Sequence, residues 1–249
     1  MRQERRGGMH MQEVSLYGKY SLLQDDAYQK LGQDSVLLAD FMSFRRGSHV
    51  CDFGAGIGVL SVLAAAKDET IRLSAVELIP GAAALCEENL RRNGFAARSE
   101  VLACDLRDLR GRIPPSSIDA VVTNPPYFTR VSGYSSGSET RAAARTDDTC
   151  DIGALCRAAA DVLKWGGRFF IVWRPERLCD LICAMRRARI EPKELRAVQK
   201  EEKSEPSAIL VRGVYGAGAQ LRMREPLFIE DGHGRKSAEY RRIYHLEDG

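Results

Sequence analysis

The most constraining feature of the chain is Asp52-Phe53-Gly54-Ala55-Gly56-Ile57-Gly58, which joins a short apolar run at 49–53 to a helical pattern over 57–66. Glycines between a strand and a helix let the backbone turn tightly and let a ligand approach main-chain atoms. The alternation continues along the chain. Residues 72–77, 100–104, 118–123 and 168–173 read as strands, with helices over 80–92, 151–163 and 177–187. Residues 194–199 and 208–214 read as a last pair of strands, and Gly166-Gly167 as a turn. Upstream, the stretch from Tyr28 to Phe44 ends in a helical pattern (Val36, Leu37, Leu38, Phe41, Met42) that Asp34 or Ser35 could cap. Strands alternating with helices predict an α/β fold. Its sheet is mostly parallel, covered by helices on both faces and joined by right-handed crossovers.

The spacing of the glycines narrows the ligand. It is G-x-G-x-G, and Val59 stands where a dinucleotide fingerprint needs glycine or alanine, which argues against NAD or FAD. No G-x-x-x-x-G-K-[ST] occurs, so a P-loop ATPase is not supported. Glu77 ends the second of these strands and Asp105 follows the third. Ligands of open α/β sheets lie at the carboxyl ends of the strands, so Asp52, Glu77 and Asp105 could converge on one crevice. Singly, each could equally be a cap or a surface charge. A carboxylate in the position of Glu77 can hold ribose hydroxyls.

The fourth of these strands runs into Asn124-Pro125-Pro126-Tyr127-Phe128. Two prolines remove two backbone donors and fix two φ angles, so the chain leaves the sheet stiffly. An amide oxygen, a main-chain carbonyl and an aromatic face are then held close together. The set suits a planar group carrying an NH₂: Asn124 Oδ1 and the Pro125 carbonyl each accept one hydrogen, and Tyr127 stacks on the plane. Two acceptors favour a pyramidal nitrogen with its lone pair free, and they stabilise the positive charge that the nitrogen acquires.

Taken together, these segments resemble the class I methyltransferases. The resemblance implies a Rossmann-like domain built on a seven-stranded, mostly parallel sheet, with S-adenosylmethionine as cofactor. It places Gly54, Gly56 and Gly58 against the methionine portion, Glu77 on the ribose and Asp105 near the adenine, with Asp52 also among the cofactor-binding residues. Leu163-Lys164-Trp165-Gly166-Gly167 also resembles the segment before that family's fifth strand. The N-P-P-Y class methylates exocyclic amines of adenine or guanine, or the glutamine side chain. Lys30, Gly32, Asp34, Leu37 and Leu38 loosely match a K-x-G-T/S-D-x-x-L-L segment, and Gln33 and Ser35 depart from it in detail. Lys236-Ser-Ala-Glu-Tyr240 resembles the ending of the same subgroup of bacterial adenine-amine methyltransferases. That subgroup acts on the adenine beside a tRNA anticodon. Its segment around Asp34 and Ser35 closes over the cofactor.

The resemblance therefore implies transfer of a methyl group to an adenine N6 in RNA, with the tRNA adenine 3′ to the anticodon as target. Asn124, Pro125 and Tyr127 would be catalytic, and Asn124 would also border the cofactor. Pro126, Tyr127, Phe128, Arg130 and Arg145 would contact the substrate. A protein glutamine or another RNA amine remains the alternative acceptor. A non-catalytic RNA-binding module would be expected to have lost Asn124, Glu77 or the glycine turn, and all three are intact.

Composition sets the remaining bounds. With 249 residues, 44% hydrophobic and 29% charged, the chain can bury one large core. The 37 Lys+Arg against 34 Asp+Glu give a formal charge of only +3, so no broad basic coat is expected. The aromatic and basic residues Phe128, Arg130, Tyr134, Arg141 and Arg145 cluster after the proline motif. The tail from Arg222 balances six basic residues with six acids. Seven cysteines without a C-x-x-C pair predict neither a disulfide framework nor a closed zinc site, and no metal is expected. Residues 1–10 are polar and basic, and read as a frayed or phosphate-touching arm. With no apolar signal or membrane span, the expected compartment is the cytoplasm. The expected organisation is an arm and cofactor-covering segment (1–45), a methyltransferase domain (46–221) and a tail packed on it (222–249). A monomer is favoured, and the loop at 134–138 is expected to be mobile without RNA.

Overall fold

The structure, a computed structural model, describes residues 11–28, 31–125 and 151–246. In chain order the strands and helices are β1 (Met11–Leu16), β2 (Tyr20–Asp25), α1 (Gln33–Phe41), β3 (His49–Phe53), α2 (Val59–Lys67), β4 (Arg72–Glu77) and α3 (Pro80–Arg92). Then come β5 (Ser99–Ala103), β6 (Ile118–Thr123), α4 (Ile152–Val162), β7 (Leu163–Trp173), α5 (Leu178–Arg187), β8 (Ile190–Gln199) and β9 (Pro206–Tyr215). The tail forms β10 (Arg222–Met223), β11 (Leu227–Phe228) and α6 (Ala238–Tyr244).

The main sheet has the order β10-β8-β9-β7-β6-β3-β4-β5, with β11 also pairing β8. Strand β9 runs antiparallel to both β7 and β8, whereas β7, β6, β3, β4 and β5 pair in parallel. All seven strands read from the sequence are present. The tail adds two two-residue strands, so the sheet has nine.

Strand residues alternate between two cores, as period-2 geometry requires. Val50, Leu73, Ala75, Val122 and Phe170 face α1, α2 and α3, while Cys51, Phe53, Val76, Val121 and Phe169 face α4 and α5. Order reverses at β3, whose sequence neighbour β4 lies on one side and β6 on the other. A crevice therefore opens beyond the carboxyl ends of β3 and β6, the usual ligand position in such sheets.

Several local expectations change. Residues 11–25, which carry no element in the sequence reading, form an antiparallel hairpin from Met11↔Asp25 to Leu16↔Tyr20. The hairpin docks through α3, not through the main sheet. Asn93 Oδ1 accepts from Ser21 N and Nδ2 donates to Ser21 O, at 3.0 and 2.7 Å. One turn earlier, Asn89 Oδ1 accepts from Leu23 N at 2.7 Å, and Nδ2 donates to Leu23 O at 3.0 Å and to Ile57 O at 2.8 Å. Two helical asparagines four residues apart thus act as a surrogate strand for β2.

Helix α1 is shorter than the 28–44 pattern. Its N-cap is Gly32, without a side-chain cap, and Asp34 and Ser35 lie in its first turn. Strand β7 starts at Leu163, so Gly166-Gly167 is a bulge within it and not a free turn: pairing passes from Ile118↔Leu163 directly to Ala120↔Arg168. Strand β8 begins at Ile190, before the expected start, with a register shift after Pro192, whose ring removes a ladder donor.

Candidate active site

Strand β3 ends in the glycine turn, held by Gly54 N and Ala55 N donating to Val76 O at 2.9 and 3.0 Å. Gly58 starts α2 at φ 88°, and a Cβ there would lie 2.7 Å from Cys86 Sγ. Glycine at 58 is thus required twice, by backbone conformation and by close packing of α2 on α3. Gly56 differs: its φ is 55°, but an added Cβ would meet nothing within 4 Å. The turn is open on the side that faces the crevice.

Asp52 lies beneath this turn, fully buried. Ser61 Oγ donates to its Oδ2 at 2.7 Å, while Oδ1 is buried without a partner among the described residues. Burial raises the carboxyl pKa to about 7, Ser61 opposes the shift and Glu77 adds to it. The folded state therefore holds a proton that the unfolded chain releases near pH 4. Stability from this group is full below about pH 4 and is lost as pH rises towards 7, by about 1.4 kcal/mol per unit. Asp52→Asn abolishes that dependence. Urea melts across pH 4.5–7.5 are expected to show the wild type losing ground to the variant up to pH 7, with no further change above. Parallel curves over the whole range would refute the assignment.

Glu77 ties β4 to the turn: Oε2 accepts from Gly56 N at 2.8 Å and Oε1 from Ile79 N at 2.9 Å. Each carboxylate oxygen retains a lone pair for a further donor. Leu78 and Ile79, next in sequence, are 62% and 46% exposed, an apolar shelf at the strand end.

Asn124 reaches the crevice from β6. Thr123 Oγ1 donates to Phe53 O at 2.8 Å, which pins the end of β6 to the end of β3. Asn124 Nδ2 donates to Ser35 Oγ at 2.9 Å, and Asn124 Oδ1 is buried without a partner among the described residues. Ser35, Asp52, Gly54, Gly56, Ile57 and Asn124 line one crevice. The chain that enters the diproline corner therefore adjoins the glycine turn at Asn124.

The structure brings Ser35, Asp52, Gly54, Gly56 and Asn124 together, with Glu77 bonded to the turn. It does not bring Asp105 or Asp34 to the crevice lining. Asp105 caps a short 3₁₀ helix, Leu106–Asp108, accepting from Arg107 N at 2.8 Å. The Arg107 side chain, with burial opposing, holds its carboxyl below the usual range. Asp34 is one of the lesser charges that, after burial, push the Tyr244 phenol upwards. Pro126, Tyr127, Phe128, Arg130, Tyr134, Arg141, Arg145, the first ten residues and the 134–138 loop lie outside the described residues. Asn89 carries no motif in the sequence. Its i, i+4 partnership with Asn93 is the only sequence signal, and helix-end asparagines usually read as caps.

An orphaned carboxylate oxygen and an open glycine cradle fit a cofactor with cationic centres. Among the described residues no cluster of three or more His, Cys, Asp or Glu could hold a metal, and no helix is long and apolar enough to cross a membrane.

The family model for the methyltransferase small domain matches residues 27–187. A protein of Shewanella halifaxensis is 28% identical over 218 residues, 83% of this chain and 87% of that one. One of Cronobacter sakazakii is 32% identical over 161 residues, 64% of each. Both are named tRNA1(Val) (adenine(37)-N6)-methyltransferase. Among solved structures, a predicted O-methyltransferase of Agrobacterium tumefaciens superposes with a TM-score of 0.71 at 22% identity, over 86% of this chain and 96% of that one. With its sheet order and its strand-end crevice, the chain belongs to the methyltransferase small-domain family. It is an enzyme of the S-adenosylmethionine-dependent methyltransferase class, and S-adenosylmethionine is its cofactor.

Proposed function

We propose that the enzyme methylates the exocyclic N6 amine of an adenine in RNA, and that the target is the tRNA adenine 3′ to the anticodon. The observation that carries this reading is the Asn124 amide: the residue lines the crevice, its Nδ2 is anchored on Ser35, and its Oδ1 is buried without a partner among the described residues. An unmatched buried acceptor is costly unless a donor arrives, and an amine is a donor of the right kind. The names of the relatives support adenine as its bearer.

When bound, S-adenosylmethionine supplies a methyl group on a sulfonium centre, activated for displacement by a nitrogen lone pair. Asp52 would hold its cationic portion, Glu77 would offer its remaining lone pairs to the ribose, and the Leu78–Ile79 shelf would take the adenine, with Asp105 held aside by Arg107. Asn124 Oδ1 and the Pro125 carbonyl accept the two amine hydrogens, leaving the lone pair free and stabilising the charge it acquires. The methylated nitrogen is acidic and releases its proton to solvent, so no strong base is required. Positioning supplies most of the rate. Tyr127 stacks on the flipped base, and Pro126, Phe128, Arg130 and Arg145 hold the surrounding RNA. From the N-terminal part of the chain, Ser35 would border the cofactor.

Purified enzyme is incubated with labelled S-adenosylmethionine and tRNA from a strain lacking the modification, and the nucleosides are then separated. Label is expected in N6-methyladenosine. Label on guanine or on a peptide glutamine would overturn the reading.

A further inference from the structure

A second cavity, of about 470 Å³, lies at the opposite end of α2 from the glycine turn. Nine residues at ~1.5 Å each separate the two ends, so it stands ~13 Å from the crevice along the helix. Three cationic side chains reach it from remote parts of the chain: Lys19 from the hairpin turn, Lys67 from the end of α2 and Arg242 from α6. One carboxylate, Asp40 of α1, lines it, and both terminal nitrogens of Arg242 donate to it at 3.0 and 3.2 Å. Among the described residues, no carboxylate pairs with Lys19 or Lys67. Burial lowers the Lys67 pKa, and Arg242 pushes it the same way against the pull of Asp40. An arriving anion would reverse that balance.

The backbone carries an independent sign. Tyr17 and His245 both have left-handed φ, 59° and 51°, and both line this cavity. Their ring centroids are 4.5 Å apart. Tyr17 and Gly18 occupy consecutive left-handed positions of the hairpin turn, where asparagine is the easier first residue. His245 ends α6 where glycine is usual. Neither residue suits its local backbone, and strain of this kind gathers at ligand-binding places.

We propose that this cavity receives the phosphodiester backbone of the RNA substrate, with Lys19, Lys67 and Arg242 on the phosphates and the Tyr17–His245 ring pair as its wall. The proposal rests on the RNA reading above. The cations are spread over three segments beside one concavity, as a strand of successive phosphates requires. They reach one face of the molecule, ~13 Å along α2 from the crevice, within the span of a single bound polyanion.

The test measures binding of unmodified tRNA to the full chain between 50 and 200 mM salt, with S-adenosylmethionine affinity measured in parallel. The Lys19→Gln, Lys67→Gln double variant is expected to bind tRNA about ten-fold more weakly. Its log–log salt slope should be shallower by about 1.4–1.8, which corresponds to two phosphate contacts, with cofactor affinity unchanged. Tyr17→Asn with His245→Gly is expected to melt at a higher temperature yet bind tRNA more weakly, a combination that a purely structural role does not produce. Unchanged tRNA affinity and slope in the lysine variant, while the wild type methylates tRNA, would overturn this proposal alone. Binding of inorganic phosphate or AMP that needs the two lysines, with tRNA binding unaffected, would overturn it in favour of a small-anion site. A wild type that neither binds nor methylates tRNA would overturn the RNA reading, and this proposal with it.

Discussion

Asn124→Ala is expected to lower kcat by about 10²–10³-fold while S-adenosylmethionine affinity stays within a few-fold. Removal of one preorganised polar group that meets developing charge has a cost of this order, and the crevice keeps Asp52, Gly54 and Gly56. Asn124→Asp keeps an acceptor and is expected to fall between the alanine variant and the wild type. Ser35→Ala removes the anchor of the amide but not its acceptor, and is expected to lower kcat by about 5–10-fold, the worth of one hydrogen bond. Single-turnover methylation and calorimetric cofactor titration separate these effects. If Asn124→Ala chiefly weakens cofactor binding and leaves the single-turnover rate intact, the amide is not the amine acceptor.

The second large effect concerns stability. Asn89 is wholly buried, and its truncation to alanine strands the Leu23 N–H, the Leu23 carbonyl and the Ile57 carbonyl. A buried polar group left without a partner costs about 1–3 kcal/mol and a partly buried one less; only the Ile57 bond is fully buried, so Asn89→Ala is expected to cost about 2–4 kcal/mol. At about 2–4 °C per kcal/mol for a chain of this size, Tm falls by roughly 10 °C. Because Ile57 belongs to the glycine turn, cofactor affinity is expected to fall as well. Asn93, itself only half-buried, should cost about 1 kcal/mol. Thermal and urea melts with a cofactor titration check this. A loss below 1 kcal/mol for Asn89→Ala would mean that the hairpin is not held through α3.

Much of the alternation was legible because each element satisfies its own periodicity. The apolar run 49–53 and the strand at 72–77 have no other good environment than a covered parallel sheet. The hairpin was not legible, since Tyr17-Gly18 departs from the usual Asn-Gly signal and its support comes from asparagines more than sixty residues away. The Gly166-Gly167 pair read as a turn because glycine marks both turns and bulges, and only the pairing of β6 with β7 distinguishes them.

The sequence by itself determined the α/β architecture, the G-x-G-x-G turn and the stiff exit at Asn124-Pro125, because these follow from local sterics and from apolar spacing along one strand or helix. Only the tertiary structure decided that Ser35, eighty-nine residues from Asn124, anchors its amide and leaves Oδ1 unpaired among the described residues. It alone likewise left one oxygen of Asp52 without a partner among the described residues, committed Asp105 to Arg107 and gathered Lys19, Lys67 and Arg242 around one cavity. The physical reason is the same in each case. A polar side chain's role depends on which partners burial leaves it, and those partners come from parts of the chain that no local pattern connects.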